Sequence, residues 1–267
     1  VERAHETPGI RPPAVAGLFY PAGRAELAAT VDALLTEARP APRDARPPKA
    51  IVAPHAGYVY SGPIAASAYA LLAPAAERIT RVVIVGPAHR VWLTGLASPG
   101  ASAMRTPLGE VAVDVAALDA AGAPAHPAAH AREHSLEVQL PFLQRLLPRA
   151  HVIPLVVGAA RAAEVGTVLE ALWGGDETAI VVSSDLSHYL PYAVARAVDA
   201  ETAARVVALD DTLAGEQACG AAGINGLTWA ARRRGMRAAV VDLRSSGDTA
   251  GGREEVVGYG AFAFYEG

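Results

Sequence analysis

Three short apolar runs rich in β-branched residues each lead into a histidine: AIVAPH ends at His55, RVVIVGPAH at His89 and AIVVSSDLSH at His188. Such runs, bounded by Pro, Gly or Ser, read as buried strands of a sheet covered on both faces. In open α/β sheets, ligands bind beyond the carboxyl ends of the strands. A strand-end loop tolerates a single histidine for no functional reason. Three at one sheet edge point instead to a shared metal or acid–base site.

Between these runs the pattern alternates with helices. Apolar spacing predicts helices over Ala25–Ala38, Pro63–Leu72, Ser135–Leu147, Ala160–Trp173, Ala193–Leu209 and Gly220–Arg234, with a short one over Asp114–Ala121. Strands are expected at Ala50–Pro54, Arg81–Gly86, Val152–Val157, Ala179–Ser183, Ala238–Arg244 and Val256–Phe264, and a small sheet excursion within Leu96–Val113. Arg39–Pro48 holds four prolines and reads as a loop, and Ala123–Ala131 as a His- and Pro-rich loop. Strands alternating with helices mean an α/β fold: one domain over residues 1–267, with a central mixed, largely parallel sheet flanked by helices. Residues 1–23 are expected to form an arm packed on it.

The 267 residues suffice for a sizeable core, and 52% hydrophobic content is that of a globular chain. A net charge of −4 with scattered arginines gives no reason to expect a nucleic-acid partner. No segment reads as a membrane span and VERAHETPGIRPP does not read as a signal peptide, so no membrane association is expected. A single cysteine excludes an intramolecular disulfide and fits a reducing cytoplasm. The single lysine, Lys49, matches neither a P-loop nor a Schiff-base context.

Several further residues carry possible chemistry. Cys219, in EQACGAAGI, falls at the start of a predicted helix, where a thiolate is favoured and can bind metal; a lone cysteine is as readily a small buried hydrophobe. Asp185, three residues before His188, would be a ligand or an acceptor that orients an imidazole, or else a turn cap. Glu133 and His134 are placed to line a site, with a capping role competing. His126, His130 and His134 recur every four residues, but Pro124 and Pro127 break any helical face, so they are discounted as a ligand set. Arg105 would meet an anionic substrate group or a surface carboxylate. HExxH, CxxC, GxSxG and Walker A motifs are all absent, and the GxGxxA of VGYGAFAF lacks the turn into a helix that a dinucleotide site needs.

In order along the chain, APHAGYVYSG, VGPAHR, RTPLGE, EHSLEVQLPFL, SSDLSHY, CGAAGI and SSGD followed by VVGYGAFAF resemble the Memo family, whose bacterial and archaeal members are labelled AmmeMemoRadiSam system protein B. The resemblance runs from AVAGLFYPAG to the end. It implies a fold like that of the class III extradiol (protocatechuate-type) dioxygenases and a metal site of two histidines and one cysteine. By motif the ligands fall on His55, His89 and Cys219, and His188 on the acid/base position with Asp185 beside it. In CGAAGI, AAGI stands where some relatives carry a further His-Pro.

The resulting expectation is a non-haem metal protein, with Fe(II) first and copper or zinc as other metals, acting as a dioxygenase-like enzyme on a small, phenol-like substrate. His188, Asp185 and Glu133 would serve the reaction, and Tyr58, His134, Tyr189 and Arg105 would line the pocket. The alternatives are a protein that handles copper or iron, or binds a peptide in the same cleft, without turnover, and a zinc hydrolase with His188 as base. The system label implies functional partner proteins.

Overall fold

The computed structural model describes residues 9–38 and 46–267. The first eight residues of the expected arm and positions 39–45 of the proline-rich loop lie outside the described residues.

In chain order the elements are β1 (Ile10–Arg11), α1 (Arg24–Glu37), β2 (Ala50–Ala53), α2 (Tyr58–Tyr69), β3 (Arg81–Pro87), β4 (Leu96–Ala97), β5 (Ala103–Thr106), β6 (Gly109–Ala112), α3 (Val115–Ala120), α4 (Pro127–Ala131), α5 (Leu140–Leu146), β7 (His151–Val157), α6 (Ala162–Ala171), β8 (Thr178–Ser183), β9 (His188–Leu190), α7 (Tyr192–Val207), α8 (Ala221–Arg233), β10 (Arg237–Ser245) and β11 (Val256–Tyr265). The main sheet runs β10-β11-β2-β8-β3-β7-β4, with β9 added against β11. Its centre, β2-β8-β3-β7, is parallel, and β11, β10 and β4 are antiparallel. β1, β5 and β6 form a separate three-stranded sheet.

The central strands are apolar through most of their length because the centre of the sheet is buried: β2 and β8 are buried at every position. α2 packs on β2, β10 and β11 with α1 and α5 against it, and α8 packs on β3 and β8 with α6 behind it. This is the α/β domain with helices flanking a mixed sheet. Among the described residues no helix is long and apolar enough to cross a membrane.

Two elements differ from expectation in ways that reach the site. α2 begins at Tyr58, five residues before Pro63, the residue expected to open it. Tyr58 is buried, and its hydroxyl donates to the Val138 carbonyl at 2.7 Å. That anchor holds the first turn in the helix even though Pro63 then sits inside it and withholds one N–H. Ser135–Leu147 is not one helix: a short 3-10 turn over Glu137–Gln139 precedes α5. Glu137 explains the break, because its buried carboxylate accepts the backbone N–H groups of Ala14 and Val15 and the Tyr20 hydroxyl and pairs with the Arg11 guanidinium.

Candidate metal centre

β2, β8 and β3 are neighbours and parallel, so their carboxyl ends open on one edge. His55 follows β2 by two residues and His89 follows β3 by two, so both imidazoles reach that edge. The chain leaving β8 passes through Ser184–Ser187 to His188, fastened on both sides: Ser184 N–H donates to the Ala53 carbonyl and Leu186 N–H to that of Gly258. A cleft of about 620 Å³ opens there, lined by His55, His89, His134, Asp185 and His188 with Phe19, Tyr60, Arg90, Tyr189 and Tyr259 among its walls. Its size is that of a small-molecule site.

Inside the cleft, ligand atoms of His55, His89 and His134 all lie within 4.8 Å of one another. The His89 and His134 rings stack at 4.6 Å, and His55 meets both edge-on at 5.2 and 5.3 Å. His134 reaches the group because the Glu133–Leu136 segment lies across the end of β3, its side chains close against Gly86: a Cβ there would come within 2.9 Å of both Ser135 Oγ and Leu136 Cδ2.

Each ring is held by protein groups. His55 Nδ1 lies 2.8 Å from Ser183 Oγ, and His55 N–H donates to Asp185 Oδ1 at 2.8 Å. His89 Nδ1 lies 2.9 Å from Glu133 Oε1. Glu133 also accepts the backbone N–H groups of His89, His134 and Ser135, so both of its oxygens are occupied. Burial alone would raise its pKa, but the His89 contact and the backbone donors prevail and hold it at about 2. His134 Nδ1 is buried without a hydrogen-bond partner; it is 3.3 Å from Glu133 Oε1 but not aligned with it. Burial pushes His55 well below the ordinary histidine range and His134 down to about 4, so both rings are neutral at pH 7, the form that binds metal.

Cys219 lies two residues before α8, and its Sγ is 3.3 Å from His55 Nε2. It falls outside the three-imidazole group. The helix end does not make it acidic: burial, together with the nearby Asp185 carboxylate, pushes the thiol up to about 12 in the absence of metal. Asp185 is itself raised to about 7 by burial, against the pull of the His55 and Ala56 N–H groups and of His89. His188 lines the cleft from β9, its pKa lowered by burial.

Of the expected pocket residues, Tyr189 and His134 line the cleft and two others do not. Tyr58 is packed in the core against Phe142 and Tyr20. Two residues along a helix is about 200° of rotation, so Tyr60, not Tyr58, faces the opening. Arg105 sits in the β5–β6 hairpin, half exposed and paired with Glu110 at 2.7 Å, which is the surface ion pair that competed with a substrate role. Arg90, beside His89 in PAHR, is the guanidinium in the cleft wall, and it forms no ion pair with a described residue. Phe19 comes from the arm and packs on His134 at 4.7 Å. Ser183 and Phe19 lie within SSDLSHY and AVAGLFYPAG, but nothing in either stretch marks them as site residues.

The profile of the family described as Memo-like protein matches residues 11–263. A MEMO1 family protein of Archaeoglobus fulgidus is 37% identical over 274 residues, spanning 96% of this chain and 99% of that protein. Those of Aquifex aeolicus and Ignicoccus hospitalis are each 36% identical, spanning 94% and 96% of this chain and 97% and 98% of their own. With identity of this level running through nearly the full length of both partners, the chain belongs to the Memo family.

Proposed function

We propose that the cleft is a mononuclear metal centre held by His55 and His89, with His134 and Cys219 as the further donors beside them, and that it oxidises a small phenol-like substrate. The observation that carries the reading is the converging triad of His55, His89 and His134. The residues fit a metal on three counts. The rings of His55 and His134 are neutral, Nδ1 of both His55 and His89 is engaged by an oxygen so that Nε2 is the nitrogen left for a metal, beside Cys219 Sγ in His55, and His134 Nδ1 is a buried polar atom that the protein leaves unsatisfied. Iron(II), the first choice for a mixed imidazole–anion set, or copper would supply redox chemistry with dioxygen as co-reactant.

The chain's own residues divide the remaining work. Phe19, Tyr60 and Tyr259 offer aromatic walls to a ring, and Arg90 offers an unpaired positive charge to a phenolate or carboxylate. His188, neutral at pH 7 and facing the same space, is placed to take a proton from a substrate hydroxyl. Asp185 holds the His55 main chain and, near pH 7, is the neighbouring group able to exchange a proton.

Cys219 supports a second reading. A sulfur 3.3 Å from His55 Nε2 is a soft donor suited to copper(I) or zinc, which favours metal handling without turnover. Oxygen uptake by metal-loaded protein over a panel of phenols and catechols separates the two. Uptake matched by product, lost in His188→Gln and with a raised KM in Arg90→Met, supports the oxidase reading. Tight metal binding with no uptake across the panel supports metal handling.

A further inference from the structure

We propose that Ser183 and Gln139 set the tautomer of His55, so that Nδ1 carries the proton and Nε2 presents its lone pair to the cleft. A buried chain links four side chains from four different segments, Tyr69, Gln139, Ser183 and His55, each at most 2% exposed. Gln139 Nε2 lies 3.0 Å from the Pro54 carbonyl and 3.4 Å from that of Ala53, groups that only accept. That atom is therefore the amide NH2, and Oε1 is left to accept the Tyr69 hydroxyl at 2.9 Å. The same NH2 donates to Ser183 Oγ at 2.8 Å.

Ser183 has one hydroxyl hydrogen, and it is committed. Oγ lies 2.6 Å from the Ser135 carbonyl, again an acceptor only. With its proton spent there and one lone pair taken by Gln139, Oγ has a single lone pair left for His55 Nδ1 at 2.8 Å. Nδ1 must then be the donor. Any other assignment sets two donors or two lone pairs face to face where no water competes. The ring nitrogen left bare is Nε2, the atom beside Cys219 Sγ. Ser183 and Gln139 are positioning residues: they choose which nitrogen faces the site before any ion arrives. The consequence for metal rests on the proposed metal centre, but the tautomer does not.

The test is long-range proton–nitrogen NMR of the histidines in the whole, metal-free chain, with His55 assigned by its loss in His55→Gln. The expected wild-type signature is a pyrrole-type Nδ1 and a pyridine-type Nε2. Ser183→Ala should give mixed or Nε2–H tautomer and weaken metal binding by about 10–100-fold, and Ser183→Thr, which keeps the hydroxyl, should restore both. An Nε2–H signature in wild type overturns the proposal with no variant needed. So does a Ser183→Ala protein that keeps the Nδ1–H form; a switched tautomer with unchanged metal affinity would uphold the assignment and refute only its consequence for metal. A clear Nδ1–H signature in a protein that binds no metal would instead refute the metal centre and leave the tautomer assignment standing.

Discussion

Oε2 of Glu133 accepts the backbone N–H of His89 at 2.6 Å while Oε1 of the same carboxylate meets the His89 ring at Nδ1, 2.9 Å away. One acid thus holds both the main chain and the imidazole of the strand-end residue, and does so with a charge that burial alone would not permit. A carboxylate behind a metal-ligating histidine fixes the ring and raises its basicity.

Replacing that acid tests its part directly. Glu133→Gln keeps the side-chain shape but turns one acceptor into a donor facing backbone N–H groups. Metal affinity, measured by competition with a chromogenic chelator, should fall by about 10–100-fold. An affinity within twofold of wild type would mean that Glu133 serves only the local fold.

The Glu137 cluster ties the arm to the site. Arg11 pairs with Glu137 and also donates to the carbonyls of His130 and Glu133, all of it buried. Arg11→Met would leave a buried carboxylate without its counter-charge and should cost about 3–5 kcal/mol in urea unfolding. The double variant Arg11→Met/Glu137→Gln should be less damaging than the single one, because no lone charge remains. A double variant no better than Arg11→Met would show that shape, not charge, dominates there.

His130 gives the chain a pH dependence that does not involve the metal ligands. Burial lowers its pKa to about 4, against the hydrogen bond from Nε2 to the Ala97 carbonyl and with the Arg11 charge adding to the lowering. The unfolded chain therefore binds a proton at His130 that the folded one refuses between about pH 6.5 and 4. Stability conferred by this residue is present above that window and is lost as pH falls through it, by roughly 3 kcal/mol at the lower end. His130→Gln should flatten the stability curve over that range in metal-free protein. An unchanged slope would place the acid sensitivity elsewhere.

Gly220 sets the position of Cys219. A Cβ there would come within 2.6 Å of Ser184 Cβ and 2.7 Å of the Ser183 carbonyl, and the Gly220 N–H donates to Ser184 Oγ. Gly220→Ala should cost about 1–3 kcal/mol and shift the sulfur away from His55. In cobalt- or copper-loaded protein the expected readout is weakening of the thiolate charge-transfer absorption that Cys219→Ala abolishes. Full retention of that band in Gly220→Ala would show that the loop adjusts without moving the sulfur.

How much of this was legible in the sequence depended on whether a residue belonged to a periodic pattern. His55 and His89 could be read because they end continuous apolar strands, and neighbouring parallel strands must finish on one edge. The histidines at 126, 130 and 134 share a spacing but no helix: α4 opens at Pro127 and closes at Ala131, so they serve three different purposes. His126 caps that helix, His130 bonds to the Ala97 carbonyl, and only His134 joins the triad. Ser183 and Gln139 were invisible because their role arises from contacts between segments more than 40 residues apart, which no local pattern encodes. Tyr58 reads as a pocket residue only while the helix is placed five residues too late; with α2 starting at Tyr58, that residue faces the core and Tyr60 the cleft.

The most direct test of the account is metal content after anaerobic purification, for wild type and for His55→Ala, His89→Ala, His134→Ala and Cys219→Ala. Wild type should hold close to one redox-active metal ion per chain, abolished by either His55→Ala or His89→Ala and reduced by His134→Ala and Cys219→Ala. A correctly folded wild-type chain that holds no metal and takes up none when iron(II), copper or zinc is added would contradict it.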